Sequence, residues 1–356
     1  MTPDRPITFV VPDGIDSAAR PSGGNEYDRR LIAGLRDDGW AVDVRPVAGP
    51  DAVEHAIAGL TDASVVLVDG LLAAPAAGVL AAQAARLRLV MLMHMSMVVA
   101  PPGHDQPGAA AAERSVLGGA AAIVTTSEWL RQQIVTRQCI DADRVSAAPP
   151  GVEQAPAALP SPSGNRLLCV APVAPHKGHD VLVDALARLS ELEWTCRCVG
   201  SLDRDADFAT TVRAALARHG IADKMVFAGV RTRSELAGDY AASDLLVLPT
   251  RSESYGMVLT EALARGLPVV ASDVGGVVEA ATGATMRAGS AFPGALVPPD
   301  DPDALAGQLR IWLTDAGTRA EWRRRARERR VRLRGWDVTV RSAARVIERA
   351  SAQRVP

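Results

Sequence analysis

Short apolar runs of strand length alternate along nearly the whole chain with stretches whose apolar residues recur at helical spacing. Residues 7–11 form the first run, which Pro12, Asp13 and Gly14 close. Over 27–38, Leu31, Ile32 and Leu35 recur at helical spacing and Gly39 ends the segment. Further strands are predicted at 41–44, 64–68, 89–93 and 121–125, the last followed by Ser127 capping a helix through Ile134. The pattern lapses at 154–165, QAPAALPSPSGN, which reads as a linker because no periodicity survives there. It resumes with strand 166–171, helix 180–189, strand 194–199, helix 208–218, strand 224–227, helix 233–241 and strand 245–248. Such alternation predicts the α/β class, with parallel sheets covered by helices on both faces.

The expected division is a first doubly wound domain over 1–155 and a second over 165–336. The chain of 356 residues is long enough for both. Open sheets of this kind bind ligands at the carboxyl ends of their strands, so two such edges facing across a cleft suit a two-substrate enzyme.

Composition narrows the partners. A formal net charge of -2 gives no global attraction to nucleic acid. Aromatic residues make up only 4%, so the core must be built from Ala, Val and Leu. Cys139, Cys169, Cys196 and Cys198 show no metal-binding spacing and read as buried reduced thiols, which suit the cytoplasm. The first residues lack a basic segment followed by a long apolar one, and the apolar stretch 87–100 is broken by Arg88, His94 and Ser96. The arginine-dense stretch 322–334, WRRRARERRVRLR, reads either as a solvated helix face or as a contact for anionic lipid headgroups or a phosphorylated acceptor. The second reading would place the protein peripherally on the inner membrane face through residues 323–334.

The richest chemistry lies in 249–279, PTRSESYGMVLTEALARGLPVVASDVGGVVE. Glu253 and Glu261 stand eight positions apart around a stretch that opens a helix. Unpaired backbone N–H groups near Gly256 suit an anion such as a diphosphate. Carboxylates beside a phosphate site should turn toward hydroxyls, which sugars and ribose supply. Glu261 is expected about two turns into the helix.

Glu253, Ser254, Tyr255 and Gly256, then Glu261, Ala262, Leu263 and Ala264, then Gly266 and Pro268 through Ala271 resemble the Glu-x7-Glu signature of retaining GT-B glycosyltransferases of family 4. The resemblance implies the GT-B fold, two Rossmann-like domains facing across a cleft. It implies that Glu253 contacts the donor sugar and Glu261 the ribose. The backbone of Ser254, Tyr255, Gly256, Met257 and Val258 would reach sugar and phosphates. Lys177, in PHKGHD, matches the family's Lys-Gly pair, whose lysine neutralises the leaving diphosphate. Gly23 and Gly24, between the first strand and first helix, match a loop that lies against the donor phosphates and the acceptor; His94 reads either as a hydrogen-bonded core residue at a strand end or, by the resemblance, as a histidine that contacts the donor sugar. Ser96 is its expected neighbour. Where the family has a Gly-Arg pair, this chain has Ala171 and Pro172, so Arg231, His176 or His179 would have to supply charge or, through the Arg231 backbone, touch the base. The last helix, from about 337 to 356, is expected to return to the first domain, and Trp336 matches a Trp frequent in the family.

The implied activity is transfer of a hexose from a UDP- or GDP-linked donor to an acceptor hydroxyl, with retention. The acceptor is left open. Asp141 and Asp143, Asp203, Asp205 and Asp207, and Asp301 and Asp303 read as solvated turn or helix-start acids, so no metal and no other cofactor is expected. Two alternatives stay open: a sugar-nucleotide epimerase or glycoside phosphorylase on the same fold, and a non-catalytic homologue acting as scaffold or partner subunit.

Overall fold

The computed structural model describes residues 5–17, 21–99, 108–283 and 292–352. The described residues divide into two compact units, the first comprising those of 5–17, 21–151 and 334–352, the second those of 152–333.

In the first unit, strands β1 (Arg5–Pro12), β2 (Trp40–Val47), β3 (Val65–Asp69), β4 (Arg88–Met93), β5 (Ala122–Thr125) and β6 (Val145–Ala147) form one parallel sheet in the order β2-β1-β3-β4-β5-β6. Helices α1 (Gly23–Asp37), α2 (Pro50–Ala58), α3 (Ala77–Gln83), α4 (Ala109–Gly119) and α5 (Glu128–Gln138) connect them. Alternate residues of β1 serve the two faces: Ile7, Phe9 and Val11 join one apolar cluster and Val10 the other. β3 is buried at every position, as a central parallel strand covered on both sides must be.

The second unit repeats the plan. Strands β7 (Arg166–Val170), β8 (Thr195–Val199), β9 (Met225–Phe227), β10 (Leu245–Leu248), β11 (Val269–Ser272) and β12 (Gly294–Val297) are parallel in the order β12-β11-β10-β7-β8-β9. Its helices are α6 (His179–Ala187), α7 (Ala206–Arg218), α8 (Arg233–Ala241), α9 (Met257–Leu263), α10 (Val277–Thr282), α11 (Pro302–Thr314) and α12 (Ala316–Arg330). The expected α/β class, with two doubly wound parallel sheets, is therefore found. The last helix, α13 (Trp336–Ala352), belongs to the first unit, where Val340, Ala343 and Ile347 share an apolar cluster with Leu31 and Leu35 of α1; residues 353–356 of that expected segment lie outside the described residues.

Four expectations change. α1 starts at Gly23, capped by the Ser22 hydroxyl on Asn25 N at 3.1 Å, so the two glycines lie in the first helical turn and not in a loop. The stretch 154–165 is packed and not free: Ala158 N donates to Arg265 O at 2.9 Å, Ser161 Oγ to Asp244 Oδ2 at 2.7 Å, and Trp312 Nε1 to Gly164 O at 2.6 Å. The unit boundary falls instead between Gly151 and Val152.

The arginine run is largely spent on the second unit. Arg323 lies 5.3 Å from the Trp312 ring and donates to Ser161 O, Arg329 donates to Ala281 O, and Arg330 to Ala264 O and Ala155 O, while Arg324 and Arg325 pair with Glu321. Backbone carbonyls thus hold guanidinium groups that the lipid reading would turn outward. Several paired acids turn out to cap or pair: Asp205 caps α7 and Asp301 caps α11, while Asp303 pairs with Arg188.

Candidate active site

In the second sheet the chain runs from β7 out to β9, then returns to place β10 on the other side of β7. That reversal makes β7 and β10 the pair whose following loops diverge, the place where open α/β sheets hold ligands. The two loops are tied together. Arg251 N donates to His176 O at 2.9 Å, and Thr250 Oγ1 lies 3.0 and 2.8 Å from the carbonyls of His176 and Ser252. The Arg251 guanidinium grips both oxygens of Asp180, at 2.9 and 2.7 Å, in a two-pronged contact that fixes its plane. Gly178, at φ 69°, passes so close that an added Cβ would sit 2.0 Å from Pro249 O.

This bracing brings Lys177 Nζ to 2.8 Å from Glu253 Oε2, with the side chains only 18% and 17% exposed. A third loop supports the carboxylate's own backbone. Gly276 N donates to Glu253 O at 3.0 Å, and a Cβ on Gly275, at φ 56°, would fall 1.7 Å from that oxygen. The Gly-Gly pair after β11 is therefore a close-packing device for the Glu253 loop.

Beyond Glu253 the loop runs through Ser254 to Tyr255, whose side chain is buried in the apolar cluster under the sheet. Gly256, at φ 95°, starts α9 with Met257 and Val258 as its first residues. Glu261 is the fifth residue of that helix, one turn in and not two, because the helix opens only after Gly256. Its Oε2 accepts the Tyr240 phenol at 2.8 Å, and Arg265 lies 4.6 Å from the Tyr240 ring. Burial, then the charge of Glu261, raises the Tyr240 pKa well above its ordinary value, so it remains a donor. Arg231 lies in the loop after β9 and faces Asp239 and Glu235 of α8, at 3.5 and 3.3 Å. His179 is fully buried, with Nε2 3.8 Å from Cys169 Sγ, and cannot face a phosphate.

Cys169, Cys198 and His179 form a compact cluster of metal-ligating types that spacing along the chain did not reveal, since three elements supply them. His179 Nδ1 is buried with no hydrogen-bond partner, whereas a metal-binding imidazole normally donates from its other nitrogen. The trio fits core packing: Cys169 and Cys198 belong to the apolar cluster, and buried His179 lies against Phe227 beside it. Cys139, in contrast, is exposed.

In the first unit the reversal of strand order falls between β1 and β3. Gly23 and Gly24 open α1 after β1; His94 follows β4, its ring 3.4 Å from where a Cβ on Gly24 would lie. His94 Nε2 is 2.8 Å from Asp28 Oδ1 and 3.9 Å from Asp69 Oδ2. Ser96 is not its partner: the serine is fully buried and donates to Glu113, which also accepts from Met97 N.

Residues 153–329 match the family model for glycosyl transferases group 1, and residues 45–151 match that for a glycosyl transferase 4-like domain. A D-inositol 3-phosphate glycosyltransferase of Jonesia denitrificans is 31% identical over 299 residues, which are 77% of this chain and 69% of that relative. The chain belongs to the group 1 glycosyl transferases. This glycosyltransferase has the GT-B fold of solved relatives. Sucrose-phosphate synthase from Thermosynechococcus elongatus superposes with a TM-score of 0.80 at 21% identity, covering 97% of this chain and 98% of that one. Anabaena HepE, solved in complex with UDP and glucose, gives 0.75 at 18% identity, covering 97% and 99%. In the glycosyltransferase, then, Lys177 and Glu253 meet in one unit, with Glu261 one helical turn beyond the loop; Arg231 stands on the α8 side. Sequence reasoning passed over Tyr240, Arg251, Asp180, Asp28 and Asp69, whose partners lie far away along the chain or carry no motif.

Proposed function

We propose that the enzyme transfers a hexose from a UDP- or GDP-linked donor to an acceptor hydroxyl with retention of anomeric configuration. The observation that carries this is the Lys177–Glu253 contact at the reversal point of the second sheet. One cation and one acid are held there at hydrogen-bond distance, as a diphosphate joined to a polyhydroxylated ring requires. Lys177 supplies positive potential to the leaving diphosphate, and the N–H groups of Met257 and Val258 add donors. Glu253 accepts from sugar hydroxyls, while Glu261, oriented by Tyr240, accepts from the ribose.

In this reading the bond from the anomeric carbon to the leaving phosphate oxygen breaks while the acceptor oxygen attaches on the same face. The leaving phosphate takes the acceptor's proton. Lys177 and the backbone donors stand in for a metal ion, so transfer should persist in a chelator. Solved HepE with UDP and glucose supports the donor class, and the relatives' D-inositol 3-phosphate names a first acceptor to try. The test is calorimetric titration with UDP, GDP and a panel of sugar nucleotides, followed by product analysis by NMR. Binding of one nucleoside diphosphate and an α-to-α or β-to-β product are expected. Failure of every nucleoside diphosphate to bind at millimolar concentration would refute the proposal.

A further inference from the structure

The geometry points to Asp28 and Asp69 as positioning residues that hold His94 as an imidazolium, so that His94 acts in transfer as a fixed cationic hydrogen-bond donor and not as a base. The role of His94 in transfer rests on the function proposed above; the protonation state does not.

Asp28 comes from α1 and Asp69 from the end of β3, and their side chains are 0% and 1% exposed, against 12% for His94. Asp28 Oδ1 is 2.8 Å from His94 Nε2. Asp69 Oδ1 accepts Leu71 N at 2.7 Å, which orients its other oxygen, 3.9 Å from the same nitrogen. The Tyr27 ring meets the imidazole edge-on at 5.2 Å and limits its tilt. Among the described residues, the titratable groups facing the ring are Asp28 and Tyr27 of α1 and Asp69 of β3.

Two carboxylates and one imidazolium sum to a net negative charge, and burial opposes leaving it there. Asp28 Oδ2 is buried without a partner, and the side-chain interaction between Asp28 and Asp69 favours a proton on Asp69. The electrostatics agree. Burial works against a charged His94, but the charge and hydrogen bond of Asp28, and then Asp69, outweigh it and lift the ring to about 9. Burial, partly offset by His94 and reinforced by Asp28, raises Asp69 to about 7. At neutral pH the ring therefore carries its proton already and has no lone pair with which to accept another.

The experiment is a pH titration of the His94 ring by long-range proton–nitrogen NMR on the full chain, with Asp28→Asn, Asp69→Asn and Asp28→Glu alongside. A ring titrating near 9 in the parent, lowered by about two units or more in Asp28→Asn and largely restored in Asp28→Glu, is expected. Asp69→Asn should give a smaller fall. In the transfer reaction the alkaline limb of kcat/KM should move with the ring in every variant. A parent ring titrating near 6.5, or one unmoved by Asp28→Asn in a folded protein, overturns the proposal. Since the NMR titration needs no substrate, it stands even if the donor class is wrong; a ring that moves while the alkaline limb does not would sink the catalytic half alone.

Discussion

Lys177 and Glu253 stand 76 positions apart in the chain yet 2.8 Å apart in space, because β7 and β10 are hydrogen-bonded neighbours and both residues lie in the loops that follow. Each is the other's counter-charge, and both are more than four-fifths buried. Lys177→Met should therefore leave Glu253 an uncompensated carboxylate, and Glu253→Gln should leave Lys177 an uncompensated ammonium. Each substitution should lower kcat/KM by roughly 100- to 1,000-fold, the range seen when one preorganised electrostatic group is removed. The double variant should lose much less than the product of the two losses. Additive losses in steady-state kinetics would show that the two residues act independently.

Tyr240→Phe tests the support of Glu261. The phenol donates to Glu261 Oε2 at 2.8 Å, and a hydrogen bond to a charged group contributes about 1.5–3 kcal/mol. Without it the carboxylate loses its fixed orientation toward the ribose. Nucleoside diphosphate affinity should weaken about tenfold or more by calorimetry, with kcat changed less than KM.

How much of this site was legible along the chain depends on distance. Glu253 and Glu261 fall within one strand–helix–strand unit, so their spacing marks them as a pair, and the resemblance to family 4 assigns their roles. β10 matches its expected span because LLVL is an uninterrupted strand-length run, and α8 falls on the expected 233–241, where the structure adds a Thr232–Glu235 capping box. The helices α2, α3 and α4 went unread since alanine and glycine dilute their apolar stripes. Asp28 was hidden for another reason: it sits beside Leu31 and Ile32 on an ordinary-looking helix, and only the fold brings it to His94 from 66 positions away.

Glycine packing gives a sharp contrast. Gly275→Ala would put a Cβ 1.7 Å from Glu253 O at a φ of 56°, so the loop carrying the acid must move. Activity should fall by at least about 100-fold, since small misplacements of reacting groups are that costly. Gly49→Ala, with extended backbone and open space around the site, should leave activity unchanged and stability within about 0.5 kcal/mol. Equal effects of the two substitutions in parallel thermal melts and assays would contradict the packing account.

The arginines of α12 should also separate into two kinds. Arg323 is 16% exposed on its side chain, stacks on Trp312, donates to Ser161 O and lies 3.8 Å from fully buried Asp244. Arg323→Ala should destabilise the second unit by about 2 kcal/mol in urea unfolding, through lost packing as much as lost charge. Arg324, half exposed and paired, among the described residues, with Glu321 and Glu328 of its own helix, should be replaceable by Ala with little change. Matching losses would mean that the run works as a surface charge and not as a clamp.

Stability should fall as pH rises from about 6 to 9, and the sign follows from the Asp28–His94–Asp69 cluster. The fold raises His94 from 6.5 to about 9, so it binds that proton more tightly than the unfolded chain does. The stabilisation is complete below 6.5 and is lost as pH climbs through 9. Asp69, raised from 3.8 to about 7, also holds its proton more tightly when folded, and its contribution fades as pH rises through 7. Together they should remove on the order of 4 kcal/mol from the first unit between pH 6 and pH 9. Asp69→Asn keeps an oxygen for Leu71 N but cannot ionise, so it should flatten the part of the decline near pH 7 and move the part that follows His94 to somewhat lower pH. Urea unfolding at several pH values reads this directly, and a stability that rises across the same interval would show that the cluster does not bind protons in the fold as its geometry requires.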